Sequence, residues 1–310
     1  MAHFLLLKSS EVINLFPSTV HLKEEFELMK NIRIFIQILV IQLFAFASAQ
    51  TYQFTNCAQT GAYGPSQAQC DSEYNGTNLE DQVTINSGKQ QWTVPYSGSY
   101  SFDVFGASGA TYEEPLPIPG HGARMKSSLN LNSGTILTIL VGQQGSTGYG
   151  NGGGGASFIQ INNEANPLIL AAGGGGTGLC CYANTEIHNG GDGLSEIGNG
   201  NGGDVGGNGT SGGCGNPGGG GGGWLSAGID SYADGGEVLS ASAIGGYEQG
   251  NGQCITPSAG GFGGGGSGGN GGGGGGGFEG GNGGANQYLD GTYPGGEGGK
   301  SFIFDGSELL

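Results

Sequence analysis

Five runs of four or more consecutive glycines fill the second half of this chain: Gly152–Gly155, Gly173–Gly176, Gly218–Gly223, Gly263–Gly266 and Gly271–Gly277. Such a run has no side chain to bury and loses more backbone entropy on ordering than any other sequence. It can remain flexible coil, as Gly/Ser linkers do. Alternatively it can order as a left-handed extended helix with three residues per turn, which makes no internal hydrogen bonds and points every N–H and C=O outward. Without Cβ atoms, several of these helices can lie backbone to backbone and satisfy one another's polar groups. The runs here lack the serine of linkers and are bracketed by apolar strands and aromatics: Ala156 to Ile161, Leu168 to Ala172, Trp224, Phe262 and Phe278. No branched apolar residue interrupts a run, so packed polyglycine helices are the expectation.

Glycine makes up 74 of the 310 residues, but only 10 are proline and no Gly-X-Y period runs through the chain, which excludes collagen. Only 11% of residues are charged and 35% are apolar, unlike a charge-swollen disordered tail. The net charge of −17 repels nucleic acid and anionic lipid and attracts cationic partners. Among so many glycines GxGxxG arises by chance, and the near-match to a phosphate-binding loop before Lys300-Ser301 has Pro294 where its first glycine must stand. Gly190-Gly191-Asp192 and Gly202-Gly203-Asp204 do not repeat in the register of a calcium-binding nonapeptide. His121 and His188 lie in polar loops with no nucleophile or acid–base pair assigned to them. The expectation is a non-enzymatic protein without cofactor or metal.

From Met29 the chain reads as a secretory signal. Lys30 and Arg33 give the positive start, Ile34 to Phe46 the apolar run and Ala47-Ser48-Ala49 the small-residue cleavage site. Gln37 and Gln42 break the run, which falls short of the ~20 apolar residues of a membrane span. Residues 1–28 fit no targeting pattern and read as an untranslated or disordered extension, residues 29–49 as the signal peptide, 50–305 as one glycine-rich domain and 306–310 as a tail. Four of the eight basic and four of the 25 acidic residues precede Gln50, so the mature chain keeps the whole negative balance.

All six cysteines, Cys57, Cys70, Cys180, Cys181, Cys214 and Cys254, follow the signal, which in an oxidising compartment favours three disulfides. Cys57 and Cys70 are close enough to close a local loop. A vicinal bridge would need Cα atoms about 3.8 Å apart, below the usual range, so Cys180 and Cys181 are expected to reach separately to Cys214 and Cys254. The sequons at Asn75 and Asn208 agree with secretion.

Residues 50 to about 145 read as all-β. Gln91 to Val94 lead through the turn cluster Pro95 to Gly98 into a half-buried strand in which Tyr100, Phe102 and Val104 alternate with Ser101 and Asp103. Lys126 to Leu131 and Thr135 to Val141 flank Asn132-Ser133-Gly134 as a strand pair, the second apolar enough to be central. Ser301 to Phe304 read as a closing strand.

Six segments in one order carry a resemblance to a known family: Phe54-Thr55-Asn56-Cys57, Gly64 to Cys70, Gln91 to Pro95, Leu140 to Gly145, Pro167 to Gly176, and Gly260-Gly261-Phe262 with Gly271 to Gly277. They resemble the glycine-rich extracellular domain of the anaplastic lymphoma kinase and leukocyte tyrosine kinase receptors. The resemblance implies a tumour-necrosis-factor-like jelly-roll β-sandwich joined to a polyglycine helix bundle. It also implies a surface for small, basic, helical cytokines, with an aromatic after the last long glycine run and acidic residues in the following loop facing the ligand. Here Phe278 takes the aromatic place, where the family has tyrosine, and Glu279, Asp290 and Glu297 are the acids. The expected partner is a basic extracellular polypeptide. An extracellular structural role with self-association is the alternative.

Overall fold

The computed structural model describes residues 26–37, 50–112, 117–162, 164–179, 188–204, 217–230, 233–247, 257–285 and 293–304. Cys180, Cys181, Cys214, Cys254, Asn208, Asp290, the cleavage site and the tail lie outside the described residues. The chain divides into two compact units, Met1–Tyr52 and Gln53–Leu310. The described part of the first is mainly an exposed helix, α1 (residues 26–37), which overlaps the start of the expected signal. Among the described residues no helix is long and apolar enough to cross a membrane.

The second unit is built on strands β1 (Val83–Asn86), β2 (Lys89–Thr93), β3 (Gly98–Phe105), β4 (Arg124–Leu131), β5 (Ile136–Leu140), β6 (Ser157–Ile161), β7 (Ile169–Ala171), β8 (Leu194–Ile197) and β9 (Lys300–Ile303). Seven form one sheet in the order β1-β2-β5-β6-β7-β9-β8, and β3 and β4 form a separate two-stranded ribbon. Pairing is antiparallel except between β8 and β9. The all-β expectation holds, and β5 is central as its apolar character required.

Thr135 to Val141 does not, however, pair with Lys126 to Leu131. β4 pairs with β3, whereas β5 pairs with β2 and β6. The Asn132-Ser133-Gly134 turn is a corner, not a hairpin. Val94 N–H donates to Thr135 O at 2.8 Å and Gly134 N–H to Val94 O at 2.8 Å, so the two chains leave the large sheet side by side. Patterning explains the fold-over. β3 has one apolar face and can cover a sheet, whereas β5 is apolar on both faces and must be enclosed.

Register lines up two apolar rows across the sheet. Leu140, Phe158, Leu170 and Phe302 are successive cross-strand partners on one face, and Ile139, Ile159, Ile169 and Ile303 on the other. The isoleucine face receives Val104 and Met125 from the ribbon. The Leu140–Phe302 face receives Trp224, Phe262 and Phe278, three aromatics that each abut a glycine run.

The longest glycine run is buried and bonded to the main chain around it with a repeat of three residues. In the longest run, Gly272 and Gly275 donate to Pro294 O and Glu297 O, Gly273 and Gly276 to Asn151 O and Gly154 O, and Gly274 and Gly277 to Gly219 O and Gly222 O, all between 2.8 and 3.1 Å. Its carbonyls accept from Gly173 and Gly176, from Gly281 and Gly284, and from Gly266. Six other segments therefore surround this run, three taking its donors and three serving its acceptors. A period of two would mark a β-strand and an i→i−4 ladder an α-helix; neither is present. None of Gly271–Gly277 has a positive φ.

Sequence reading did not anticipate the helix α2 (Gln67–Tyr74). Its signal was the pair Ser66 and Gln69, a capping box in which Gln69 Oε1 accepts the Ser66 N–H at 2.8 Å. The helix carries Cys70 to Cys57, and this local disulfide forms as expected.

Lys89 joins the sheet to the glycine-rich half. It is 9% exposed, and its Nζ donates to Leu239 O at 3.0 Å and Ala241 O at 2.6 Å and sits 5.7 Å from the centre of the Phe158 ring. Among the described residues no carboxylate pairs with it, and burial pushes its pKa down to about 8. Between pH 8 and 10.5 the unfolded chain binds the proton that the folded chain has released, so this group adds stability as pH rises. Below pH 8 it is charged in both states and its burial cost is fully present. The stability of the parent relative to Lys89→Met is expected to rise by up to about 3 kcal/mol across that window, read by chemical denaturation at pH 7, 8, 9 and 10. A difference that stays flat with pH would remove the buried-amine account.

Candidate ligand-binding surface

Only four basic residues follow Gln50, and each is already engaged within the fold. Lys89 is buried on carbonyl oxygens. Arg124 Nε donates to Asp103 Oδ1 at 2.8 Å and its NH2 group to Oδ2 at 2.6 Å, with Lys126 Nζ 3.6 Å from the same carboxylate. That cluster holds the Asp103 carboxyl below its ordinary range, first through the Arg124 hydrogen bond. Lys300 pairs with Glu279 at 3.0 Å. Among the described residues after Gln50, the other acidic side chains have no ion-pair partner.

Two acidic loci result. At the first, Glu279 is fixed by the C-terminal end of the long glycine run and by a backbone bridge to Lys300. Its Oε1 accepts from Lys300 Nζ and its Oε2 from Asn199 N–H at 3.0 Å. The Lys300 pKa is raised, first by the hydrogen bond from its ammonium to Glu279, with further contributions from the charges of Glu279, Glu196 and Glu297. Glu279 alone of these contacts the ammonium, and the other two act on it through their charge. Glu297 is exposed and accepts from Asn282 Nδ2 at 2.8 Å. Glu196 was not singled out in the sequence, because it lies on β8, a short strand that its residues Leu-Ser-Glu-Ile do not announce. The second locus, also missed, is Asp230, Asp234 and Glu237. Burial raises the Asp234 pKa, and the neighbouring Asp230 and Glu237 charges raise it further.

Phe278 packs into the core behind Glu279. Its ring is 8% exposed and stacks on Phe302 with centroids 4.2 Å apart, and on Trp224 at 6.3 Å. Trp224 in turn meets Phe158 edge-on at 5.2 Å. The physical reason is that a glycine core has no apolar side chains of its own. The aromatics at the ends of its runs seal it against the sheet.

Of Glu279 and Glu297, the first contacts Lys300 and the second acts on it through its charge. The residues flanking Asp290, Ala285 and Tyr293, are placed elsewhere. They adjoin Gly284 and Pro294, which bond Gly272 at the opposite end of the long run, about 20 Å of extended chain from Glu279. The Asn75 sequon is exposed just after α2. His188 is buried, with Nδ1 2.8 Å from Tyr293 O. This is an arrangement for presenting charge, with side chains displayed on a main-chain scaffold.

Comparison with known proteins finds a similarity over part of the chain. No family model matches the sequence. A 97-residue segment is 35% identical to the leukocyte tyrosine kinase receptor of Mus musculus, covering 30% of this chain and 11% of the receptor. The match thus spans about a tenth of that receptor's length, and what it shows is a partial similarity to a receptor.

Proposed function

We propose that this chain is a secreted or cell-surface, non-catalytic, receptor-ectodomain-like module that recognises a basic polypeptide. The observation that carries the reading is that all four basic side chains after Gln50 are engaged internally, while Glu196, Glu297 and the Asp230–Glu237 locus face outward. Such a surface steers cationic partners and raises their association rate. The partial similarity to the leukocyte tyrosine kinase receptor supports a receptor-like role. The signal peptide at 29–49 and the sequons belong to the same reading. So do pairing of Cys180 and Cys181 with Cys214 and Cys254 and a jelly-roll joined to a polyglycine helix bundle; the three-residue hydrogen-bond repeat supports the bundle. A net charge of −17 opposes self-association, which makes the structural alternative the weaker one.

The test uses a lysine-rich helical polypeptide as probe. Glu196→Lys combined with Glu297→Lys is expected to slow its association by about tenfold at low salt and to flatten the salt dependence. Dissociation should change less, and the melting temperature should hold because both side chains are exposed. If the double variant and the parent associate at the same rate and with the same salt slope, this acidic locus is not the binding surface.

A further inference from the structure

The two edges of the seven-stranded sheet are finished differently. At β1, the Gln67 side chain behaves like a neighbouring strand: its Nε2 donates to Val83 O at 2.9 Å and its Oε1 accepts from Ile85 N–H at 2.8 Å. One outward carbonyl and one outward amide of that edge are thereby satisfied from within the chain. At β8 nothing comparable occurs. Leu194 and Gly198 turn their amides inward to Gly299 O and Ser301 O, at 2.8 and 3.0 Å. Strand alternation then places the amides of Ser195 and Ile197 on the outer edge. Among the described residues no strand pairs with that edge. All four β8 residues are exposed, with Leu194 at 43% and Ile197 at 50%.

An open edge is a template for another strand, and proteins usually blunt it with lysine, proline or a covering segment. Among the described residues β8 has none of these. Its one protective feature is a register shift against β9 between Leu194 and Ile197. Charge selects the occupant. A second copy of this chain would bring its own Glu196 and a further net charge of −17 to an edge that already carries Glu196. A strand carrying lysine or arginine would meet complementary charge, and its apolar side chains could cover Leu194 and Ile197.

We propose that β8 is a strand-addition site for an extended basic polypeptide segment, which pairs with Ser195 and Ile197 through its backbone while its cations lie among Glu196, Glu279 and Glu297. The proposal rests on the cationic-partner reading and adds that the bound segment is an extended strand paired through its main chain.

The experiment titrates the folded protein with three eight-residue peptides: alternating lysine and valine, the same peptide N-methylated at every second residue, and alternating glutamate and valine. The plain basic peptide is expected to bind, to slow hydrogen exchange at Ser195 and Ile197, and to bind about tenfold more tightly than its N-methylated form, which keeps the charge but loses strand hydrogen bonds. Equal binding of plain and N-methylated peptides would overturn strand addition and leave the cationic-partner reading intact. Binding of the acidic peptide as tight as the basic one, with the same exchange protection, would overturn the charge reading and keep the edge. Absence of binding by either unmethylated peptide at low salt overturns both. Exchange protection that grows with protein concentration and no peptide present would assign the edge to a second copy.

Discussion

Gly274→Val is expected to unfold the glycine-rich half at ordinary temperature. A Cβ at this position would overlap the Gly281 carbonyl oxygen and stand 2.7 Å from Gly281 C and 2.8 Å from Gly221 N. Real Cβ atoms essentially never come so close to backbone, and backbone held on several sides cannot swing aside as a side-chain tip can. The loss should exceed the ~1 kcal/mol of an ordinary point mutant several-fold. Gly274→Ala should already be severe, because the obstruction begins at Cβ itself. Gly98→Ala is the control, since a Cβ there meets nothing within 4 Å and the residue has no positive φ. Thermal and denaturant unfolding of the three variants checks the prediction. A melting temperature for Gly274→Val equal to that of Gly98→Ala would mean that the run is not packed as described.

The second large effect is expected from Phe278→Ala. Removing a ring stacked between Phe302 and Trp224 opens a cavity at the junction of sheet and glycine core, at about 3–5 kcal/mol. Any change in ligand dissociation would then be secondary to loosened packing behind Glu279. Phe278→Leu should recover much of the stability, as partial refilling does, and should leave association with a cationic probe near the parent rate. A Phe278→Ala protein that melts like the parent yet releases ligand faster would return the ring to the surface.

What could be read beforehand follows from which groups carry the pattern. β3 and β5 were visible because apolar side chains alternate or run together, and Cys57 with Cys70 because a local loop needs no topology. The corner at Asn132-Ser133-Gly134 was misread as a hairpin: a turn motif fixes the reversal but not which sheet receives the next strand. The ordering of the glycine runs was inferable from the absence of obstructing side chains. Their neighbours were not, because residues without side chains carry no pattern and the partners of Gly272 to Gly277 come from Asn151 to Glu297. Of the nominated acids, Glu279 contacts Lys300, and Glu297 acts on it only through its charge. Glu196 was hidden in a four-residue strand whose pairing with β9 spans more than a hundred residues of chain.

The hydrogen-bonded glycine core bears on how such a domain can change. In an ordinary interior a bulky replacement can be accommodated by trimming a neighbour, so second-site suppressors exist. Around Gly274 the neighbours are Gly281, Gly221 and other main-chain atoms, with nothing left to trim. A suppressor screen started from Gly274→Ala should return only reversions, whereas exposed positions such as those of β8 can change without disturbing a core contact. Variation in this architecture is thereby directed out of the interior and into its exposed outer strand, where partner specificity can be rewritten while the scaffold stays fixed.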